Sequence, residues 1–398
     1  MRVLILHSRY LSGPVSGENR VAEDEARLLR EAGHEVHVWA PEPEVTGPLG
    51  LVRTGASAVW SASAAAEVGR LVRRHRAEVV HAHNLFPTLS PAVLRRAHDE
   101  GAAVVLTLHN YRLMCLPASL LRDGAICELC VGKIPWRGVA YSCYRDSVLG
   151  SATLASSLSL HRGMGSFDRV SRFLAISRFI RDKHVESGLP PGRIRIKNNF
   201  VWPGVQREGP GEYFLYLGRL APEKAVDTLM EAWRRAPGRL VVMGDGPEAG
   251  RLRRGAPPHV EFVGQVATAE VPGILARARA VLVPSRWYEP AGRVALEAYA
   301  SHVPVVASRI GALPELVEEG VTGLLADPDR PRDWADAAER LSDDGVSERL
   351  GTGAFRAWRE RFSPEPGLRG LEAAYRGALD NDGSSDGAST AGPQRRPS

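Results

Sequence analysis

Lysine is scarce in this chain of 398 residues, because arginine supplies nearly all of the 51 basic side chains. The only lysines are Lys133, Lys183, Lys197 and Lys224. A net charge of +5 would suit an anionic partner. Sites for single-stranded nucleic acid, however, interleave aromatic side chains with a positive groove, and the most basic run, RLVRRHRAEVV at residues 70–80, contains none. We predict the solvated end of a helix there and no nucleic-acid partner.

Long apolar runs are also missing. No stretch reaches the roughly 18 uncharged apolar residues that a membrane-spanning helix needs, so we predict no transmembrane segment. The opening MRVLILHSRY lacks the apolar core and cleavage site of a signal peptide and is typical of a first strand, so we expect a cytoplasmic protein. The longest run without charge, residues 147–160, predicts either a packed helix or an element that rests on a lipid surface as a peripheral membrane contact.

Strand-like runs alternate with helical patterns, which is typical of βαβ units and a parallel sheet. In the first half a helix is predicted around residues 19–32, and strands at 3–6, 34–40, 78–83 and 104–110. In the second half strands are predicted at 213–217, 240–243, 260–263, 280–283, 304–307 and 324–326. The pattern predicts an α/β protein of two doubly wound, Rossmann-like domains, residues 1–205 and 206–365, facing across a cleft, with a disordered tail at 381–398.

Open parallel sheets bind ligands beyond the carboxyl ends of their strands. After the first strand, the small residues Gly13, Ser16 and Gly17 leave amides free for an anion at a helix N-terminus, or form only a flexible surface loop. No G-x-G-x-x-G follows this strand, which removes the main support for a dinucleotide site. His109 follows the strand VVLTL, and we expect it to donate to a sugar hydroxyl or to stabilise developing charge; His81 is the weaker candidate.

The second half places two cations after its first strand, Arg219 directly and Lys224 at the start of the next helix. Two cations beside a helix N-terminus suit a diphosphate, and no metal is then needed to neutralise a departing phosphate. We therefore expect no cofactor to be required for catalysis. A second turn, MGDGPE at residues 243–248, either accommodates a nucleotide or is only a tight turn.

Two glutamates, Glu289 and Glu297, flank a predicted helix start in RWYEPAGRVALEAYA. With a helix from about Ala291 they lie roughly 12 Å apart along the axis. Paired glycosidase carboxylates stand about 5 to 9.5 Å apart, so this pair suits two ends of one ligand better than one bond. We predict sugar hydroxyls at Glu289, ribose hydroxyls at Glu297, and a diphosphate over the amides around Gly292 and Arg293.

The ordered series GRLAPEK, GDGP and EPAGRVALEA, followed by VPVVASRIGALPELVEEGVTGLLADP at 303–328, resembles the family-four retaining glycosyltransferases of the GT-B fold over residues 1–375. The resemblance implies a UDP-sugar donor, front-face substitution, and a helix at 366–380 that crosses back to the first domain. It also implies a set of donor contacts: the donor sugar at Glu289, the ribose at Glu297, the diphosphate at Arg219 and Lys224, the transferred sugar at His109, and a closing loop at Gly17.

Two residues depart from the family pattern. Ala291 stands where a bulky residue is common before Gly292, and Ala312 stands where a second glycine is common. Both leave the nucleotide and the donor sugar open, although a UDP-sugar is the commonest choice in the family, with a hexose or an N-acetylhexosamine as the sugar. A competing pattern, LLADPD, ends in Asp327 and Asp329 and is typical of metal-binding glycosyltransferases of another fold, but its late position in a parallel sheet argues against that role.

The stretch SGPVSGENRVAEDEARLLREAGHEVHVW also resembles glycosyltransferases of antibiotic pathways, including those that act on the aminocyclitol 2-deoxystreptamine. Its carboxylates would suit a cationic acceptor, although carboxylates at a helix start need no ligand. They are Glu18, Glu23, Asp24 and Glu25. The leading hypothesis is transfer to a small polar acceptor in aminoglycoside biosynthesis. The alternatives are a glycosyltransferase of cell-surface polysaccharide or lipid-linked glycans, a sugar-nucleotide 2-epimerase, and a noncatalytic binding protein.

All four cysteines lie within 29 residues of one another in the sequence, at Cys115, Cys127, Cys130 and Cys143. Cytosolic thiols stay reduced, and a C-x-x-C between two outer cysteines is compatible with a structural four-thiolate zinc site. The alternative is a set of scattered buried cysteines.

Overall fold

The structure is a computed structural model that describes residues 1–9, 17–43 and 47–383. Its strands are β1 (Arg2–Leu6), β2 (Glu35–Trp39), β3 (Val79–Ala82), β4 (Ala103–Leu108), β5 (Leu121–Arg122), β6 (Ala125–Ile126), β7 (Arg172–Ala175), β8 (Ile194–Ile196), β9 (Tyr213–Leu217), β10 (Leu240–Met243), β11 (Val260–Gly264), β12 (Ala278–Val283), β13 (Val305–Ser308) and β14 (Gly323–Ala326).

Helices connect these strands. They are α1 (Gly17–Glu31), α2 (Gly47–Val59), α3 (Ala62–His75), α4 (Ala92–Asp99), α5 (Trp136–Ala140), α6 (Val148–Gly163), α7 (Arg178–Glu186), α8 (Val226–Ala232), α9 (Ala249–Arg254), α10 (Val271–Leu275), α11 (Arg293–Ala300), α12 (Leu313–Leu316), α13 (Pro331–Ser342), α14 (Asp344–Ala357) and α15 (Pro364–Gly383). One π-helical turn, Trp358–Phe362, links α14 to α15, and 3₁₀ turns lie at Phe167–Arg169, Pro191–Arg193 and Pro222–Lys224.

The strands form two six-stranded parallel sheets, with strand orders β2-β1-β3-β4-β7-β8 and β11-β10-β9-β12-β13-β14. The direction of chain order reverses between β1 and β3 in the first sheet and between β9 and β12 in the second. Doubly wound sheets bind their ligands at such switch points. The prediction of two doubly wound α/β units is confirmed, and β5 and β6 add a separate antiparallel hairpin.

Alternating side chains of each strand enter the helical layers on the two faces of its sheet, because successive residues of a strand point in opposite directions. In β1, Val3 and Ile5 pack in the layer that includes α15, while Leu4 and Leu6 pack against the layer of α3 and α4. With both faces covered, all six residues of β4 are buried. The apolar runs that predicted the strands follow from this double burial.

Helix α15 returns from the end of the second unit to the first sheet. Leu371, Ala374, Tyr375 and Ala378 pack in one cluster with residues of β1. The helix continues to Gly383, so residues 381–383, which we predicted as the start of a tail, are helical. Residues 384–398 lie outside the described residues, and their predicted disorder stays a prediction.

Two strands of the first sheet, β7 and β8, were not predicted from the sequence. The uncharged run at 147–160 forms most of α6, whose buried face includes Leu154 and Leu158, while Val148 and Leu149 at its start are exposed. In the described ranges, no helix has the length and apolar character needed to cross a membrane.

Candidate active site

The switch point of the second sheet carries a partly buried ion pair. Lys224, two residues before α8, donates from Nζ to Oε2 of Glu289, which follows β12, over 2.7 Å. The same oxygen accepts a hydrogen bond from Ser285 Oγ at 2.9 Å and one from Trp287 Nε1 at 2.8 Å. Three donors therefore fix one oxygen of the carboxylate, and the Lys224 ammonium lies 5.1 Å from the centre of the Trp287 ring.

The electrostatics of this pair favour the ionised form of the Glu289 carboxylate. Burial alone would raise the pKa of Glu289, but the charge of Lys224 and the hydrogen bonds from Lys224, Ser285 and Trp287 lower it below its usual value. The Glu289 side chain is 12% exposed and that of Lys224 is 24% exposed. The ammonium is thus held at the strand ends in a position that a ligand can reach.

Arg219, the other predicted cation of this site, is mostly exposed and forms an ion pair with Glu223. It follows the glycine at 218, and the loop after β10 packs directly against this segment. A Cβ atom on Gly244 would collide with the carbonyl oxygen of Gly218, and one on Gly246 with that of Leu220. The glycines of MGDGPE therefore allow two backbones to touch, which supports the tight-turn alternative.

Helix α11 begins at Arg293, two residues later than expected. Gly292 adopts a left-handed conformation with φ of +61°, which a helical residue cannot have, and so delays the first turn. Arg293 donates from Nε to Glu297 Oε1 at 3.0 Å and from Nη2 to Asp24 Oδ2, in the first domain, at 2.8 Å. Glu289 and Glu297 therefore engage different cations, as two separate contact points would.

Histidines follow three neighbouring strands at the switch point of the first sheet: His7 after β1, His83 after β3 and His109 after β4. The nitrogen pair His83 Nδ1 and His109 Nε2 is 2.9 Å apart, and the two rings are stacked. His7 Nε2 lies 2.6 Å from Asn19 Oδ1 on α1. All three rings are buried, and His109 is 6% exposed.

A second layer of polar groups lies beneath these rings. His81 contacts Thr107 Oγ1 through Nε2 at 2.7 Å and the Tyr375 hydroxyl of α15 through Nδ1 at 2.8 Å. Glu25 of α1 forms a buried ion pair with Lys197. Its Oε2 lies 3.7 Å from His81 Nδ1 and 3.6 Å from His83 Nε2. Elements from both ends of the chain therefore hold this network.

The buried histidines are neutral near pH 7. Burial, together with the charge of Lys197, lowers the pKa of His81 to about 3. Burial and the neighbouring cations and imidazoles also lower the pKa values of His83 and His109 well below their usual range. Of the two roles predicted for His109, hydrogen bonding fits a neutral ring, whereas stabilisation of charge by an imidazolium does not.

The loop that carries Glu289 lies against the first domain. The Tyr111 hydroxyl donates to the carbonyl of Tyr288 at 3.1 Å, and Ser177 Oγ donates to the carbonyl of Pro290 at 2.9 Å. Ala291 packs on the first-domain core, and this is the small residue that departs from the family pattern. The strand ends of both sheets thus meet at one interface.

The acidic residues of α1 do not form an open anionic surface. Asp24 binds Arg293, Glu25 binds Lys197, and Glu18 Oε1 accepts from Asn110 Nδ2 at 2.5 Å. Of the small residues predicted for the loop before this helix, Gly17 is the first residue of α1, while residues 13 and 16 lie outside the described residues.

The predicted zinc site is not supported. In the described ranges, the groups of three or more metal-ligand side chains with close ligand atoms contain no cysteine. Cys115 packs on the first-domain core, and its sulfur accepts a hydrogen bond from the Leu120 N–H at 3.4 Å. The competing Asp-x-Asp pattern has a different explanation as well, because Asp327 pairs with Arg330 and Asp329 with Arg286.

Several residues of the site were not predicted. Ser285 and Trp287 lie four and two positions before Glu289, and this proximity in SRWYEP is a sequence signal for hydrogen bonds to the carboxylate. Asp24 was predicted only as an acceptor contact, although it binds Arg293. Tyr375 gives no local signal, because its partner His81 is 294 positions away.

Two protein-family profiles match the chain, one on each half. Residues 15–203 match the family described as Glycosyltransferase Family 4, and residues 211–344 match the family described as Glycosyl transferases group 1. The first match covers the first sheet except β1, the second covers the whole second sheet, and α15 lies outside both.

Curated relatives match over part of their length. An alpha-D-kanosaminyltransferase of Streptomyces kanamyceticus is 35% identical over 173 residues, 41% of this chain and 45% of that protein. A D-inositol 3-phosphate glycosyltransferase of a Nocardioides species is 37% identical over 190 residues, 41% of each chain. The chain therefore matches less than half the length of these two relatives.

Solved structures match over nearly the whole chain. Alr3699/HepE of Anabaena in complex with UDP aligns with a TM-score of 0.65 at 19% identity, over 94% of this chain and 99% of that one. Sucrose-phosphate synthase of Thermosynechococcus elongatus aligns with a TM-score of 0.68 at 18% identity, over 94% and 98%. With its two six-stranded parallel sheets, the chain has the GT-B fold.

Proposed function

We propose that this chain is a retaining glycosyltransferase that moves a hexose or N-acetylhexosamine from a UDP-sugar to a small polar acceptor. The observation that carries the proposal is the ion pair of Lys224 and Glu289 at the switch point of the second sheet. The loop that carries Glu289 also meets the loop that follows His109, through Tyr111 and Tyr288. Both profile matches, to two families of glycosyltransferases, support this reading.

The proposed donor contacts follow from which polar atoms of the site already have hydrogen-bond partners within the protein. Ser285, Trp287 and Lys224 all donate to Oε2 of Glu289, so we assign its Oε1 to a hydroxyl of the donor sugar. The Lys224 ammonium and the exposed Arg219 guanidinium would bind the diphosphate, and Arg293 and Glu297 would lie toward the ribose. Structures related in fold to this chain hold UDP and UDP-glucose, which supports a UDP-sugar as donor.

The proposed reaction needs no cofactor. The bond between the anomeric carbon and the phosphate oxygen breaks, and a bond from that carbon to the acceptor oxygen forms on the same face. The proton of the acceptor hydroxyl passes to the departing phosphate, whose developing charge Lys224 and Arg219 stabilise. Neutral His109 would hold a hydroxyl of the transferred sugar by a hydrogen bond.

The acceptor proposal rests on sequence similarity. We propose a small polyol or aminocyclitol of the 2-deoxystreptamine type, in aminoglycoside biosynthesis, and the support is the resemblance of the α1 region together with the relative named alpha-D-kanosaminyltransferase. The carboxylates Asp24 and Glu25 do not support it, because they are engaged with Arg293 and Lys197.

The decisive measurement is UDP release from UDP-glucose and from UDP-N-acetylglucosamine, each with a panel of aminocyclitols and of lipid-linked sugars. We expect release that depends on an aminocyclitol and a product whose anomeric configuration, read by NMR coupling constants, matches that of the donor. Chelation by EDTA should leave the rate unchanged.

Other outcomes would redirect the assignment. Transfer to lipid-linked sugars alone would replace the acceptor class and keep the enzyme class. UDP and a C2-inverted sugar formed without an acceptor would identify a 2-epimerase. Binding of UDP-sugar without turnover under all conditions would contradict the glycosyltransferase proposal itself.

A further inference from the structure

Strand β2 and the end of α3 bring two imidazoles and a carboxylate together on the outer edge of the first sheet. β2 is an edge strand, so one side of it has no neighbouring strand. Glu35 and His37 are two residues apart on this strand and therefore share a face, while Val36 between them is buried. His75 is the last residue of α3, and its ring stacks on that of His37 with centroids 3.4 Å apart.

The three side chains have the separations that metal ligands need. His37 Nε2 and Glu35 Oε1 are 3.2 Å apart, and one ligand atom from each of the three residues lies within 4.8 Å of the other two. With metal–ligand bonds of about 2.0 Å, tetrahedral ligands stand roughly 3.3 Å apart. The Glu35–His37 pair already has this spacing, and the partly exposed His75 ring would turn out of its stack with His37 to bring a nitrogen to the same point.

The charges around the cluster are mixed. His75 lies in the last turn of the 14-residue α3, where the helix dipole favours a cation. Of the arginines near this end of α3, Arg73 has Glu100 as a carboxylate partner and Arg2 has Glu78. Arg74 and Arg76, on either side of His75, are opposing charges. Ligation by the anionic Glu35 offsets part of that charge.

A second group of this kind, Glu25 with His81 and His83, fails as a cation site. Its carboxylate is already neutralised by the Lys197 ammonium, and Tyr375 occupies the Nδ1 side of His81. A cation there would face an ammonium ion at close range in a buried site, which is strongly unfavourable.

We propose that Glu35, His37 and His75 form a surface site for one divalent transition-metal ion of the class that imidazole prefers, such as Zn²⁺ or Ni²⁺. Two imidazoles and one carboxylate form a known three-ligand set that leaves further positions to water. A bound ion would join the edge strand β2 to the end of α3 and so stabilise the first domain. The site is independent of the proposed glycosyl transfer.

The test uses untagged full-length protein, freed of metal with EDTA and desalted, and Ni²⁺ as the probe. Ni²⁺ suits imidazole and carboxylate, whereas Zn²⁺ also favours thiolates, which would complicate the titration. Isothermal titration calorimetry should show one saturable site. His37→Ala and His75→Ala should each weaken binding at least tenfold, and Ni²⁺ should raise the melting temperature of the wild type but not of either variant.

The matched control is His98→Ala. His98 is a partly exposed histidine of the same domain that lies 3.7 Å from a carboxylate, Asp99, but is not part of the metal-ligand group. This variant should bind Ni²⁺ like the wild type. No saturable binding by the wild type, or equal binding in the wild type and in both the His37 and His75 variants, would overturn the proposal. Transfer activity should be unchanged in all three variants, so failure of the metal site leaves the proposed enzyme function untouched.

Discussion

The two sheets of this protein end in opposite kinds of chemistry. At the switch point of the second sheet, the partners are charged and partly accessible: Lys224 and Glu289 form an ion pair that Ser285 and Trp287 reinforce. At the switch point of the first, the leading groups are imidazoles that burial keeps neutral, His83 and His109. The charged side, Lys224 and Glu289 with their partners, offers charge to a ligand. The neutral side, His83 and His109, offers directed hydrogen bonds.

This difference has a physical reason. A diphosphate is recognised by charge, and a carboxylate beside the cation holds the ammonium in place while its own pKa falls. A neutral sugar is recognised by hydrogen bonds, and a neutral imidazole can donate at one nitrogen and accept at the other. Under the proposed function, the second domain would supply the charged contacts to a nucleotide sugar together with the Glu289 carboxylate, and the first domain would add a hydrogen bond from His109.

The largest expected effect comes from breaking the charged side. Lys224→Ala removes the ammonium and leaves the partly buried Glu289 without its cation, and Glu289→Ala removes the proposed sugar contact and the anchor of Lys224. We expect each variant to lower kcat/KM for UDP-sugar turnover by roughly 100- to 1000-fold, as for the loss of one transition-state donor. Steady-state UDP release measures this, with circular dichroism to verify folding.

The matched control is Glu231→Ala, which breaks an exposed ion pair with Arg234 on α8 of the same domain. Exposed pairs contribute roughly 0 to 1 kcal/mol, so activity should stay within twofold of the wild type. Near-normal turnover in both the Lys224 and the Glu289 variants would mean that neither residue belongs to the active site. The contrast between the two switch points would then have no bearing on activity.

The sequence predicted the charged side better than the neutral one. β9 and β10 have the predicted bounds, because their apolar runs are buried on both faces and end at glycines. β7 was missed because its four residues lack flanking turn signals, and β8 because Ile194–Ile196 alternates apolar and charged residues at a sheet edge.

Within the site, the strand ends located Lys224, Glu289 and His109, but not their partners. The ion pair of Lys224 with Glu289 joins residues 65 positions apart, and the contact of His81 with Tyr375 joins residues 294 apart. Such pairs depend on how the strands are ordered in the sheet and on where α15 lands. The local sequence pattern contains no information on the strand order or on the position of α15.

The second expected effect concerns pH: the two switch points should lose their contributions to the free energy of unfolding in different pH ranges. His81 has a folded pKa of about 3 against an ordinary value of 6.5, so between these pH values the unfolded chain binds a proton that the folded one does not. Its contribution therefore lowers the free energy of unfolding as pH falls, by at most about 1.4 kcal/mol per pH unit. The stabilisation from Glu289, whose pKa is lowered, is lost only below about pH 4.5, its ordinary value.

The measurement is urea unfolding at pH 7, 6 and 5, followed by circular dichroism, for the wild type and His81→Gln. Glutamine can hydrogen-bond with Thr107 but does not titrate. We expect the loss of unfolding free energy from pH 7 to pH 5 to be smaller in the variant by about 1 kcal/mol or more. An identical pH dependence in the two proteins would mean that the buried imidazoles of the first domain do not set its acid sensitivity.

The smallest expected effect on turnover tests whether α15 supports the neutral side. Tyr375→Phe removes the hydroxyl that contacts His81 and leaves that nitrogen buried without this partner, at a cost of about 1 to 3 kcal/mol in unfolding free energy. Tyr299→Phe is a matched change in the second domain, because Tyr299 is equally buried and its hydroxyl bonds Thr322 at 2.7 Å. Both variants should lose similar stability.

Only Tyr375→Phe should also lower kcat, by a few-fold and with KM for the donor unchanged, because His81 lies beneath the His83 and His109 rings and no such network surrounds Tyr299. If both variants keep the wild-type kcat, α15 serves only to cover the first sheet, and the neutral side of the site is positioned by α1 and the strands alone.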